Sequence, residues 1–386
     1  MNISQLKEEF FKRYDNRTKD PVIFFSPGRV NLIGEHTDYN NGFVFPCALN
    51  YGTYLLVRKR NDNQLILHTL NLEFSDSFNI DNIKKNQAGE WVNYPLGIIV
   101  EFIQRRIPLG GMEMLFYGDI PNGAGLSSSA SIEMATAYAL NILFNAGLPD
   151  IELIKLSQHA ENTFVGMNCG IMDQFVVGMA EKDKAIFLNC DTLNYEPVPL
   201  ELDEYQLIIT NTNKRRSLTD SKYNERRSEC EKAVQYINSE RSIEHLSHLS
   251  ISDLHLLDEL IPDQTIRKRA RHVITENNRV LQAVNVLCKG DIHYFGKLMN
   301  ESHDSLREDY EVTGKELDAL AYEARKIEGT IGSRMTGAGF GGCTVSIVEK
   351  KHTDTFIEKL DRAYTSATGL KAEFYRPTIE GSVRQI

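Results

Sequence analysis

Residues 28–39, GRVNLIGEHTDY, follow an apolar run at 22–25 (VIFF) that is closed by Ser26 and Pro27. The run reads as a buried strand, and the segment behind it reads as the turn that the strand feeds. That turn carries Arg29, Glu35, His36 and Asp38 in close succession. Charge so dense beside an apolar strand must be exposed, paired or in contact with a ligand, because an uncompensated buried charge is strongly disfavoured. The rest of the chain decides among the three.

A chain of 386 residues with 41% hydrophobic residues can bury a sizeable core and suggests two domains more readily than one. Its 53 acidic residues outnumber 43 basic ones, for a formal net charge of −10, without a long block of one sign. That balance argues against a nucleic-acid or anionic-membrane binder. The basic clusters at 214–216 (KRR) and 267–271 (RKRAR) are too short to reverse it. The first residues, MNISQLKEEFFKRYDNR, form a charged amphipathic helix candidate without the apolar core of a signal peptide, and no window is long enough to span a bilayer. A cytoplasmic location is expected. Six cysteines, at 47, 169, 190, 230, 288 and 343, are scattered without a CxxC pair, so free thiols are expected rather than disulfides or a zinc site.

Strand character recurs at 22–25, 52–59, 64–68, 111–117, 185–188 and 205–210, with helix patterns at 91–107, 129–146 and 150–165 between them. Serines stand ahead of the second helix to cap it, Gly147 stops it, and Asp150 opens the third as an acidic cap. Beyond residue 210 the pattern turns helical, at 218–237, 251–260, 265–289, 292–309 and 316–327. It ends with a glycine-rich turn, a strand at 343–348, a helix at 353–368 and a strand at 372–375. Both halves are therefore α+β, and the irregular connection EPVPLE at 196–201 places a boundary near residue 200. No internal repeat or low-complexity segment is present.

Two glycine-rich loops carry chemistry. Residues 121–131, PNGAGLSSSAS, lie between a strand and a helix. Gly123 and Gly125 let backbone N–H groups approach a ligand, and the serines add hydroxyls at a helix start whose dipole favours an anion. No Gly-Lys-Ser/Thr closes the loop, so it is not a Walker A loop. Ser128 stands where a Rossmann turn needs its third glycine. Residues 332–342, GSRMTGAGFGG, form the second loop before a buried strand. Residue chemistry alone supports an anion site with phosphoryl transfer as the natural reaction, beside the simpler reading of both loops as turns and caps.

The three stretches together resemble one family. GRVNLIGEHTDY resembles the galactokinase signature, PNGAGLSSSAS is similar to the nucleotide-phosphate loop of the GHMP small-molecule kinases, and GSRMTGAGFGGC resembles that family's third motif. Their order and spacing match over essentially the whole chain. The resemblance implies a two-domain α+β fold with its active site in the cleft between the domains. Residues 1–200 would hold the sugar signature and phosphate loop, and 201–386 a ferredoxin-like C-terminal domain. It also implies transfer of the γ-phosphoryl group of ATP, with Mg²⁺, to the anomeric hydroxyl of α-D-galactose. A monomer without nucleic-acid or membrane partners is expected.

Carried over residue by residue, the resemblance makes Asp173 the catalytic aspartate that accepts the sugar's hydroxyl proton, with Arg29 beside it facing the phosphoryl group. A guanidinium so placed favours the ionised carboxylate and weakens it as a base, so alignment and charge stabilisation would carry most of the acceleration. Glu35, His36, Asp38, Gly170, Asp173 and Tyr223 would bind galactose. Glu161 and either Ser128 or Ser129 would hold Mg²⁺, which keeps several waters and few protein ligands. Trp91 and Tyr94 would flank the adenine, with Gly123, Ala124, Gly125, Leu126, Ser127, Ser128, Ser129 and Ala130 around the phosphates. Two alternatives stand beside this reading. One is a related GHMP kinase for N-acetylgalactosamine, an arabinose-type sugar or mevalonate, and the other a non-catalytic galactose and ATP sensor. The intact serine loop and the presence of both Arg29 and Asp173 weigh against the sensor.

Overall fold

The computed structural model describes residues 1–14, 19–72, 74–87, 90–121, 125–214 and 219–386. The first half contains α1 (Ile3–Arg13), β1 (Val22–Asn31), β2 (Phe43–Val44), β3 (Pro46–Lys59), β4 (Gln64–Thr69), β5 (Phe74–Asn79), α2 (Asn93–Gln104), β6 (Met112–Gly118), α3 (Ser128–Leu143), α4 (Asp150–Ala160), α5 (Met172–Met179), β7 (Lys184–Asn189) and β8 (Tyr195–Pro199). The second contains β9 (Tyr205–Asn211), α6 (Thr219–Ile237), α7 (His255–Leu260), α8 (Gln264–Leu287), α9 (Ile292–Ser305), α10 (Lys315–Arg325), β10 (Thr330–Thr336), β11 (Cys343–Glu349), α11 (Thr353–Thr368), β12 (Glu373–Tyr375) and β13 (Arg384–Gln385). The fold is α+β.

The first strand is longer than its apolar run. β1 does not end at Phe25 but pairs with β3 as far as Asn31, its register shifting between Pro27 and Arg29. Arg29 therefore sits on the strand and not on the turn after it. The apolar run has a simple cause, because successive side chains of a strand point to opposite faces and both faces here are covered. Phe24 faces a core built with α2–α5, while Ile23 packs with Leu6 and Phe10 of α1. Strand order in this sheet is β13-β1-β3-β6-β4-β5, antiparallel except for β4 beside β6.

A second sheet, β10-β11-β9-β12, and a small third one, β2-β7-β8, share a hydrophobic core that runs from Val30 and Phe45 through Val198 and Leu207 to Phe295 and Val345. That core crosses residue 200 and ties the sugar-signature segment to the second sheet. A further core among α6, α7 and α8 reaches Tyr310 and Met335.

Three local expectations change. Ser127 is the residue before α3, but it has φ 62° and makes no capping bond, its hydroxyl being used elsewhere. Pro149 precedes α4, so Asp150 acts on the helix dipole from the first turn. The patterns at 150–165 and 292–309 each end in a π-helical turn, Glu161–Val165 and Leu306–Tyr310, a wide geometry that recurs at functional sites. All six cysteines are free. No helix among the described residues is long and apolar enough to cross a membrane.

The basic cluster at 267–271 is partly consumed inside the fold. Arg269 is 2% exposed and donates to Glu229 at 2.9 Å, to Glu311 at 2.8 Å and to the Asp309 carbonyl at 2.6 Å. Removing one member of such a buried set strands the others. Arg269→Ala should lower stability by about 3 kcal/mol, read from the shift in the urea midpoint.

Candidate active site

Glycine at position 28 lets the serine loop reach the first strand. A Cβ there would lie 2.8 Å from the Leu126 carbonyl oxygen, which instead accepts the Arg29 amide at 3.1 Å. The register shift at this point turns Arg29 out of the regular pleat. Its guanidinium grips Asp173 with two parallel bonds, Nε to Oδ1 at 2.7 Å and Nη2 to Oδ2 at 2.8 Å, and Nη1 donates to the Gly125 carbonyl at 2.8 Å. Ser127 spends its hydroxyl on Asp173 Oδ2. Burial works against the charge on Arg29, but Asp173, Glu35 and Asp38 outweigh it, and its pKa is raised. Asp173 stands in the first turn of α5 and keeps about a quarter of its side chain exposed.

Beyond β1, the chain passes through Gly34 at φ 103° and His36 at φ 64° into a tight turn at Asp38–Asn40. Glu35 is 1% exposed and accepts from Asn31 Nδ2 at 2.7 Å, from the Gly337 amide at 2.7 Å and from Arg334 Nη1 at 3.4 Å. It thus pins the first motif to the third. Gly34 donates its amide to Glu276, which Arg279 and Ser302 also hold. Asp38 packs so closely on Gly170 that a Cβ there would fall 2.0 Å from Oδ2, which accounts for glycine at that position. Burial, then the neighbouring Asp173, pushes the Asp38 carboxyl up to about 7. Burial lowers the His36 imidazole to about 3, so it is neutral.

On the opposite wall, Glu161 begins the first π-helical turn. Its carboxylate accepts from Gln174 Nε2 at 2.6 Å and from the Cys169 thiol at 3.3 Å, and the Ser129 hydroxyl also bonds to it. Gln174 bridges to Glu133 at 2.9 Å. Burial first, then Asp173, raises Glu161, while burial and Glu161 push Glu133 well above the usual carboxylate range. A carboxylate and a hydroxyl at a helix start are hard oxygen donors. Together with this crowding of acids, they suit a small divalent cation.

One cleft of about 290 Å³ gathers Arg29, Glu35, His36, Asp38, Tyr94, Gly125, Leu126, Ser127, Ser128, Ser129, Glu161, Gly170, Asp173 and Tyr223. Trp91 packs edge-on against Phe116, 5.5 Å between centroids, and Ala130 lies in the core of the first sheet, so neither lines the cleft. Gly123 and Ala124 lie outside the described residues. Sequence reading missed Gly337 and Ala338, which close the cleft from the third motif, and the buried partners Asn31, Arg334, Glu133 and Gln174. Glu133 did leave a signal, as an acid in an alanine-rich helix.

A serine loop at a helix start, an arginine–aspartate pair and a carboxylate–serine couple around one cleft define a small-molecule kinase of the GHMP type. Comparisons agree along the chain. The galactokinase galactose-binding signature matches residues 8–59, the GHMP kinases N terminal domain residues 93–181, and the GHMP kinases C terminal domain residues 283–366. A galactokinase of Clostridium tetani is 53% identical over 380 residues, covering 98% of this chain and 96% of that one. One of Clostridium acetobutylicum is 50% identical over 389 residues, covering 100% of both. The crystal structure of Lactococcus lactis galactokinase complexed with galactose superposes with a TM-score of 0.96 at 43% identity, covering 100% of each chain. Methanococcus jannaschii mevalonate kinase shares the fold, with a TM-score of 0.68 at 20% identity over 95% of this chain and 100% of that one. The chain belongs to the galactokinase family.

The Glu35 clamp has a direct test. Glu35→Gln replaces an acceptor facing the Gly337 amide and Arg334 with a group that can also donate. It should lower stability by about 2 kcal/mol, measured by chemical denaturation.

Proposed function

We propose that this enzyme transfers the γ-phosphoryl group of ATP to the anomeric hydroxyl of α-D-galactose, giving galactose 1-phosphate and ADP. The observation that carries the reading is the two-pronged Arg29–Asp173 pair, held between the serine loop and the sugar signature. Asp173 accepts the proton of the anomeric hydroxyl as that oxygen attacks phosphorus, and Arg29 faces the charge building on the transferred group. With its carboxylate already held by Arg29 and Ser127, the aspartate serves as a fixed acceptor that orients the hydroxyl.

Asp38 accepts from sugar hydroxyls, and a site built on such bonds rejects a sugar lacking them. Glu35, His36, Tyr223 and the Gly170 backbone complete the sugar wall. The backbone and hydroxyls at 125–129 cradle the ATP phosphates, with Tyr94 on the adenine side. Glu161, with Ser128 or Ser129, would hold Mg²⁺, which when bound neutralises charge on the phosphates. Residues 1–200 and 201–386 form the two domains around the cleft, with β13 returning to the first sheet.

The deciding experiment is an ADP-release assay with galactose, N-acetylgalactosamine, arabinose and mevalonate as acceptors. Galactose should be the best substrate, and no turnover with any acceptor would leave a sensor. Asp173→Asn should cut kcat by about 10²-fold or more with galactose. Turnover within about tenfold of wild type would remove the aspartate from the mechanism.

Asp38 also makes sugar capture pH-dependent. Its carboxyl titrates near 7, so it is neutral below that pH and a hydroxyl acceptor at both oxygens above it. At saturating ATP, kcat/KM for galactose should rise as pH increases through about 7, and Asp38→Asn should remove that limb from the profile.

A further inference from the structure

A chain of buried hydroxyl and thiol groups runs from the cleft into the helical layer. His36 Nδ1 lies 2.9 Å from the Tyr39 hydroxyl, that hydroxyl 2.7 Å from the hydroxyl of Tyr310, and the latter 3.1 Å from Cys230 Sγ. Three separate elements supply the outer members: the turn after Thr37, the second π-helical turn and α6. Tyr310 and Cys230 are buried, and none of the three is among the residues lining the cleft. The rings of Tyr39, Tyr223 and Tyr310 surround the imidazole at 5.8, 5.8 and 4.8 Å, so it has little room to turn over.

Proton bookkeeping gives the chain a direction. Three gaps separate four groups, and the thiol and two hydroxyls own three protons. If each donates towards the histidine, sulfur to Tyr310, Tyr310 to Tyr39 and Tyr39 to Nδ1, every gap is filled and the ring proton resides on Nε2. Run the other way, the chain ends on sulfur, a poor acceptor, and leaves the thiol proton to find another partner. Asn40 also bonds to the same sulfur, while donating to the His36 carbonyl at 2.9 Å. His36 Nε2 is buried without a hydrogen-bond partner among the described residues, so a proton on it is left for a ligand.

We propose that Tyr39, Tyr310 and Cys230 are positioning residues that hold His36 as the Nε2–H tautomer, so that its ring presents a hydrogen-bond donor to the sugar. This rests on the galactose reading above. Asp38 requires a donor from the sugar and His36 then offers one to it. The two side chains impose an alternating pattern that a sugar with a displaced or missing oxygen fails to match. The opposite tautomer would turn both into acceptors.

The test is ¹⁵N NMR of protein labelled at histidine, without sugar, with the His36 signals assigned by their loss in His36→Gln. Wild type should show a protonated Nε2 and a bare Nδ1. Tyr39→Phe and Tyr310→Phe should each show a mixture of tautomers and a KM for galactose raised by about tenfold, the scale of one lost hydrogen bond, with the KM for ATP unchanged. A wild-type proton on Nδ1 overturns the proposal. So does a folded Tyr39→Phe protein with the wild-type tautomer and galactose KM. The spectrum needs no turnover, so failure to phosphorylate galactose would sink the functional reading separately.

Discussion

The buried carboxylate of Glu35 sets the terms for the rest of the site. It links the stretch after β1 to the loop after β10, segments separated by most of the chain, and it is held by a side-chain amide, a backbone amide and a guanidinium. Burying two opposite charges in this way gains little net stability, because desolvation opposes the attraction. What it secures is placement. His36 and Asp38 ride on the same short turn, and Gly34 is anchored at the other end by Glu276. A shift of the clamp would carry both side chains with it.

Around that anchor the cleft concentrates acids. Burial, and after it the charge of Asp173, raises the carboxyls of Asp38 and Glu161, burial with Glu161 and Asp173 raises Glu133, and Arg29 holds Asp173 itself with two parallel bonds. Two features keep the arrangement tolerable. Gln174 donates to both Glu133 and Glu161, and burial keeps Glu133 and Asp38 biased towards their neutral forms. Such a cleft favours ligands that bring positive charge or hydroxyl donors.

Much of this was legible from residue patterns. Periodicity located four of the six strands of the first sheet, β1, β3, β4 and β6, and most helices, and the three glycine-bearing stretches marked three sides of one cleft. The misses have physical causes. β10 reads TIGSRMT, where glycine and polar residues hide a strand that is largely buried. β8 contains Pro197 and Pro199, which normally argue against a strand, but it lies at the edge of its sheet, where missing donors are tolerated. Arg334, Gln174 and Tyr310 act through contacts with residues far away in sequence, and no local pattern announces such partners. Trp91 shows the reverse error, since spacing put it on the face of Tyr94 while packing took it to Phe116.

The pairing of β13 with β1 places Gln385 beside Phe24 and Arg384 beside Phe25. That edge of the sheet stays open until residues 384 and 385, far along the chain, dock against it. An unpaired edge beside an apolar run is the kind of surface that recruits foreign strands. The strand bearing Arg29 therefore keeps an open edge until β13 docks, and substitutions that weaken the pairing at Arg384 or Gln385 leave that edge exposed.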